Sequence, residues 1–350
     1  MILRRLVQNH RHPKETPVRI GLTISVLTAA WLVAAPARAL DCAKANTPIE
    51  TAICANPAAL AADEAMTKTY DGLAASLKPE HRQALLISQR RWLEQRANLC
   101  VSEEGKAVDS CLVEKTDDRR SFLAGEPQSG PGAPPGFAPL FIQHVGKPRE
   151  YDINVEALKF VDPKRPGEIL FNQKVQALLD EVPPVRDKDI RDGQTYSYWL
   201  EVSAPFASEK FVSGHTELYD YSGGAHGNTE TSNFAIDLAS GRELAFADIF
   251  EEAAKQPLED SCLAQIKDQK HEKLPDVTLS AEDIAALEKA IAVSVAELKE
   301  WSFMASKATI GFDAYALGAY VEGSYSCSFP AAFFKKFLKY DYLPPAPDAQ

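Results

Sequence analysis

Apolar residues recur at helical spacing between residues 47 and 123 and in strand-like alternation beyond residue 150, so two differently built halves are predicted. In the first half, Leu60, Met66, Tyr70, Leu73 and Leu77 share one helical face. Thr47-Pro48-Ile49-Glu50 supplies an N-cap, a proline at the first helical position and a glutamate at the third, the signature of a capping box. Asn56-Pro57 restarts a helix in the same way, and Lys78-Pro79 breaks it. A second helix is expected over about residues 80–98, with Leu85, Gln89, Trp92 and Arg96 at spacings of three and four, and a short third over 111–123. Gln89, Trp92 and Arg96 then lie on one face and read as packing. In the second half, strands are predicted over 151–160, 195–206, 210–221 and 228–237, and near 307–313 and 321–329. Helices are predicted over 167–182, near 254–272 and 281–299, and after Pro330. These mixed blocks lack a βαβ alternation, which predicts an α+β fold with a largely antiparallel sheet.

The join between the halves is marked by composition. Residues 125–139 hold five prolines and four glycines, which exclude a helix or a central strand, and they read as a linker. The predicted organisation is therefore a helical domain at 40–124, a linker at 125–139, an α+β domain at 140–340 and a tail at 341–350. The first 39 residues differ again. A basic segment, an apolar run over 20–35 and alanines at 37 and 39 read as a secretory signal peptide cleaved after Ala39. The rival reading is an uncleaved anchor. Sixteen apolar residues fall short of the ~20 that span a bilayer, so no stable membrane anchor is expected and the protein is placed in the periplasm or outside the cell.

Charge narrows the partners. The 350-residue chain has a formal net charge of −11 and is 25% charged and 45% hydrophobic, an ordinary globular composition. Residues 40–126 carry 11 bases and 14 acids, whereas residues 127–350 carry 21 and 34, a net −13. The acidity belongs to the second half. It excludes nucleic acid, whose phosphates need a basic face, and it suits a cationic protein.

Six cysteines, Cys42, Cys54, Cys100, Cys111, Cys262 and Cys327, all follow residue 39, and an even count in an exported chain reads as disulfides. The pairs 54–100 and 42–111 share a centre near the turn at residue 78, so a nested pairing is predicted. The crossed pairing, 42–100 with 54–111, is the alternative.

Two resemblances follow. Cys42, Ala45, Glu50, Cys54, Leu60, Asp63, Tyr70, Gln89, Trp92, Leu93, Arg96, Cys100, Cys111, Thr116 and Arg119 fall in an order that resembles the LprI-type lysozyme-inhibitor family, over about residues 41–124. Tyr221-Ser222-Gly223-Gly224-Ala225-His226-Gly227-Asn228, with Asp237, Gly241, Leu244, Asp248 and Phe250 behind it, resembles the extracytoplasmic domain shared by the anti-sigma factor RsiV and the non-catalytic part of the peptidoglycan deacetylase PdaC. Phe312, Tyr315, Gly318, Tyr320, Gly323, Ser324, Tyr325, Phe329 and Pro330 extend that resemblance, which spans about 140–340. Cys262 and Cys327 depart from it and form a third bridge by elimination.

The histidines stand at 10, 12, 81, 144, 215, 226 and 271. Beyond the signal segment none pairs at i,i+4, and neither GxSxG nor HExxH occurs. No enzyme activity, metal or cofactor is expected. Both resemblances imply a lysozyme-like muramidase as the partner, and a peptidoglycan-binding accessory module is the alternative. Two loops are the candidate contact surface. One is 222–228, where Gly223, Gly224 and Gly227 are read as positive-φ turn residues that expose Ser222 and His226. The other is 313–323, which carries Tyr315, Tyr320 and Glu322 between glycines.

Overall fold

The computed structural model describes residues 40–101, 107–133 and 136–339. The proposed signal segment and the tail at 341–350 lie outside the described residues. Four helices build the first half: α1 (Pro48–Ala55), α2 (Pro57–Ser76), α3 (Pro79–Leu99) and α4 (Asp109–Ala124). The capping box forms as its residues dictate. Thr47 Oγ1 accepts from Glu50 N at 3.2 Å, and the Glu50 carboxylate accepts from Thr47 N at 3.0 Å. Asn56 Oδ1 caps α2 by accepting from Ala58 N and Ala59 N. Met66, Tyr70, Leu85 and Leu123 meet in one small core, and Ile53, Ala59, Cys100 and Leu112 in another.

The disulfides correct the sequence reading. Cys42 pairs with Cys54 and Cys100 with Cys111, at sequence separations of 12 and 11. Neither the nested nor the crossed pairing forms. The shared-centre argument assumes that the α2–α3 hairpin continues outward in both directions. Instead it stops at the Asn56 cap and at Cys100. Outside those stops each flank folds back on itself. The turn at Cys42–Lys44 returns to the end of α1, and Val101 and Ala107 pair to bring Cys111 under α3. The third bridge, Cys262–Cys327, joins as expected.

The second half is α+β. A six-stranded sheet runs in the order β1 (Phe137–His144), β2 (Tyr151–Phe160), β3 (Tyr196–Ala207), β4 (Phe211–Tyr221), β5 (Asn228–Asp237) and β6 (Arg242–Glu243). Every pairing is antiparallel except β2–β3, which is parallel and spanned by α5 (Pro166–Asp180). Phe171 and Val175 of α5 fill an aromatic core with Phe137, Phe160 and Phe234. The short helix α6 (Phe246–Ile249) leads to α7 (Lys255–Lys273) and α8 (Ala281–Ala296). These cover a three-stranded sheet, β7 (Trp301–Phe303), β8 (Lys307–Phe312) and β9 (Tyr325–Pro330), closed by α9 (Ala331–Phe334). Trp301 is fully buried there among Phe250, Phe303 and Phe329. The outer edge of β9 is blunted by side chains: Gln265 and Gln269, one turn apart on α7, each exchange two hydrogen bonds with the backbone of Ser328 and Ser326.

The described residues of the 125–139 stretch form no helix or central strand, yet they are docked. Gln128 N donates to Ala204 O, Gly132 N donates to Ala207 O, and Ala133 is buried. β1 begins within it at Phe137, as an edge strand that tolerates Pro139. The two halves meet through a buried polar seam. Arg119 of α4 donates to Glu156 of β2, to Ser88 Oγ at 2.7 Å and to Gln89 Oε1 at 3.0 Å. Arg91 of α3 reaches the carbonyls of Ile153 and His144 and the Asp152 carboxylate. Gln89 and Arg96 are buried, and the Trp92 ring lies beneath the Arg96 and Arg119 guanidiniums, at 4.7 and 5.7 Å.

Candidate partner-binding surface

The β4–β5 loop and the segment after β8 carry the candidate contact residues. Gly223 (φ 94°) and Gly224 (φ 119°) adopt the left-handed conformation that the loop needs. Gly227 does not. It is required for a different reason: a Cβ there would lie 2.5 Å from the Tyr219 ring. Asp313 anchors the second segment, accepting from Thr231 N at 2.8 Å and Thr231 Oγ1 at 2.9 Å. Gly318 makes room for the Glu322 carboxylate, which a Cβ would meet at 2.3 Å.

These constraints bring His226 into contact with Tyr315 and Tyr320, 89 and 94 positions further along the chain. The His226 imidazole stacks on the Tyr320 ring at 3.7 Å and 14°. Tyr315 Oη lies 3.4 Å from His226 Nε2, and Tyr320 Oη donates to Gly227 O at 3.3 Å. His226 is exposed, Tyr315 is 61% exposed and Tyr320 37%. Tyr315 holds φ 75°, which costs energy for a residue with a side chain. Of the three rings, Tyr320 borders a cleft of about 510 Å³ between β5 and β8, lined also by His215, Glu217, Asn233, Glu300 and Asp313. His215 Nδ1 faces Asn233 Oδ1 at 2.8 Å.

Two of the candidates stand apart from the rings. Ser222 is exposed but hydrogen-bonds Asp220. Glu322 is not a free carboxylate. It pairs with Lys270 Nζ at 2.7 Å, accepts from Tyr325 Oη at 2.6 Å and from Ala319 N at 2.7 Å, and only about 10% of its side chain is exposed. It holds its loop in shape rather than reaching outward. Burial alone would raise its carboxyl, but the hydrogen bonds from Lys270, Tyr325 and Ala319 outweigh burial and bring it to about 2. A carboxyl depressed on folding stabilises above its unfolded value of 4.5, and that contribution is lost as the pH falls toward 2. Glu322→Gln is therefore expected to flatten the loss of stability between pH 4.5 and 2, measured by urea unfolding at stepped pH. An unchanged acid limb would contradict this.

Sequence reasoning passed over Trp199. It sits between Ser197 and Glu201 on β3, out of phase with buried Tyr198, Leu200 and Val202, and is 43% exposed. An aromatic residue on the polar phase of a strand is the signal that marks it.

A disulfide-tied helical domain seamed to an acidic, mainly antiparallel α+β domain has the build of an extracytoplasmic protein. Residues 42–123 match the family described as Lysozyme inhibitor LprI. No curated protein matches the chain. Among solved structures, a DUF3298 family protein from Pseudomonas aeruginosa is similar at 16% identity and a TM-score of 0.32, covering 56% of this chain and 88% of its own. A DUF3298 family member from Bacteroides fragilis is similar at 15% identity and a TM-score of 0.35, covering 55% and 85%. Among the described residues no helix is long and apolar enough to cross a membrane.

Proposed function

We propose that the protein is an exported, non-enzymatic binder that captures lysozyme or a related muramidase and blocks it. The match of residues 42–123 to the Lysozyme inhibitor LprI family carries this reading. Three further features support it. The disulfides suit an oxidising compartment outside the cytoplasm, which the signal-peptide reading of residues 1–39 supplies. The motif around His226 and the Tyr315–Tyr325 segment resemble the RsiV and PdaC extracytoplasmic domain. The second half also carries a net −13, which steers a basic enzyme toward it.

In this reading His226, Tyr315 and Tyr320 contact the partner, because rigid aromatic side chains gain contact area at small entropic cost. The imidazole and the phenols also present hydrogen-bonding groups to the paired catalytic carboxyls of a glycosidase. The test is a cell-wall lysis assay with lysozyme and the purified protein. Wild type is expected to inhibit, and the His226→Ala, Tyr320→Ala variant to need about tenfold more protein or more for the same inhibition. Inhibition that the variant retains in full would move the contact surface to the helical domain. No binding to lysozyme, with pelleting on purified sacculi, would replace the reading with the peptidoglycan module.

A further inference from the structure

Resting on that reading, we propose that the open face of β3 and β4 seats a basic side chain of the partner, an arginine or a lysine, on the rings of Trp199 and Tyr219 and against the carboxylates of Glu201 and Glu217. The register builds this patch. Trp199 stands directly opposite Tyr219, and Glu201 directly opposite Glu217. Each ring is two residues from a glutamate on its own strand, so all four side chains leave the same face of the sheet, about 7 Å apart along each strand. The two rings lie 5.1 Å apart, and Trp199 Nε1 donates to Asp152 Oδ2 at 3.0 Å, which fixes the indole. An aromatic pair bordered by a carboxylate pair is the chemistry that receives a guanidinium or ammonium group: the ring faces attract the cation and the carboxylates accept its N–H groups.

Among the described residues no cation pairs directly with Glu201 or Glu217 in the free protein. Glu201 also stands opposite Glu156 across β2, so three glutamates line up on adjacent strands, an arrangement that costs energy. Only Glu156 is neutralised, by Arg119. Neither Glu201 nor Glu217 has a hydrogen bond or ion pair among the described residues, and both are exposed. The other cation of α4 in reach, Lys115, is engaged with Asp118 at 4.0 Å. Desolvation by the protein crowded around its solvent-reaching side chain, and then the charges of Glu156 and Glu217, push the Glu201 carboxyl up to about 7, against the pull of Arg119 and Lys115. An arriving cation therefore displaces a proton at neutral pH.

The patch is continuous with the crown of rings. Tyr219 packs against Gly227, whose carbonyl accepts from Tyr320 Oη. One partner surface thus spans both. Charge complementarity selects a cationic protein over a glycan, since these acids have no surplus base beside them and the whole second half is acidic.

The experiment is calorimetric titration of the full protein with egg-white lysozyme and, separately, with a short arginine-rich peptide, from pH 5.5 to 8.5. The variants are Trp199→Ala, Trp199→Phe and Glu201→Gln, each checked for an unchanged melting temperature. Wild type is expected to release a proton on binding and to weaken by up to tenfold per pH unit below 7. Glu201→Gln removes both effects. Trp199→Ala weakens both titrants at least tenfold, and Trp199→Phe recovers part of that. If lysozyme binds but all variants match wild type, the seat is wrong and the capture reading stands. If the peptide binds in this variant-dependent way while lysozyme does not, the seat stands and the capture reading falls. Binding of an N-acetylglucosamine oligomer that Trp199→Ala abolishes would overturn the seat in favour of a sugar platform.

Discussion

Replacing Arg119 by alanine is expected to destabilise the protein by about 3–5 kcal/mol, the largest loss among the single substitutions considered. The side chain is 3% exposed and satisfies Glu156, Ser88 and Gln89 at once. Its removal leaves the Glu156 carboxylate, itself 11% exposed, charged beneath α4 with only a serine hydroxyl to meet it. Glu156→Gln should cost less, because a neutral amide carries no stranded charge and still accepts from Ser88. Replacing both partners by apolar residues of similar volume, as in Arg119→Met with Glu156→Leu, should recover much of the loss. Urea unfolding of the four proteins is the measurement. A cost below about 1 kcal/mol for Arg119→Ala would mean that the seam is not what joins the halves.

The second large effect is expected from the disulfides, and it is unequal. In the chain-entropy account a bridge stabilises more when it closes a longer loop, by about 4 kcal/mol for the 65-residue separation of Cys262–Cys327 and by about 3 kcal/mol for separations of 12 and 11. The Cys262→Ala, Cys327→Ala protein should therefore unfold at lower denaturant than the Cys42→Ala, Cys54→Ala protein. Non-reducing peptide mapping should recover Cys42 joined to Cys54 and Cys100 joined to Cys111. A peptide joining Cys54 to Cys100 would restore the nested arrangement and overturn the local one.

What could be read in advance follows from the range of the forces involved. Helices α1 and α2 are announced by side-chain caps acting over three or four residues, at Thr47 and Asn56, and α3 by the proline at its first position, Pro79, so sequence alone places their starts well. The cysteine partners depend on where the flanks go after α1 and α3 have ended, which is a tertiary matter. β1 begins inside the proline-rich stretch, and β7 is three residues long, so neither shows a period. In the site, the glycines and tyrosines of both loops marked exposed turns, but not that His226 and Tyr320 would stack. Glu322 looked available because its partner Lys270 lies 52 residues away on α7. Gly227 looked like a turn residue because the Tyr219 ring that needs its bare Cα arrives from the neighbouring strand.

The most direct test of muramidase capture is an isothermal titration of lysozyme into the purified protein at neutral pH, repeated at 50 and 500 mM salt. A one-to-one complex that weakens as salt screens the acidic second half is the expected result. No heat of binding at either salt concentration, from a protein that unfolds cooperatively and carries its three disulfides, would contradict the account.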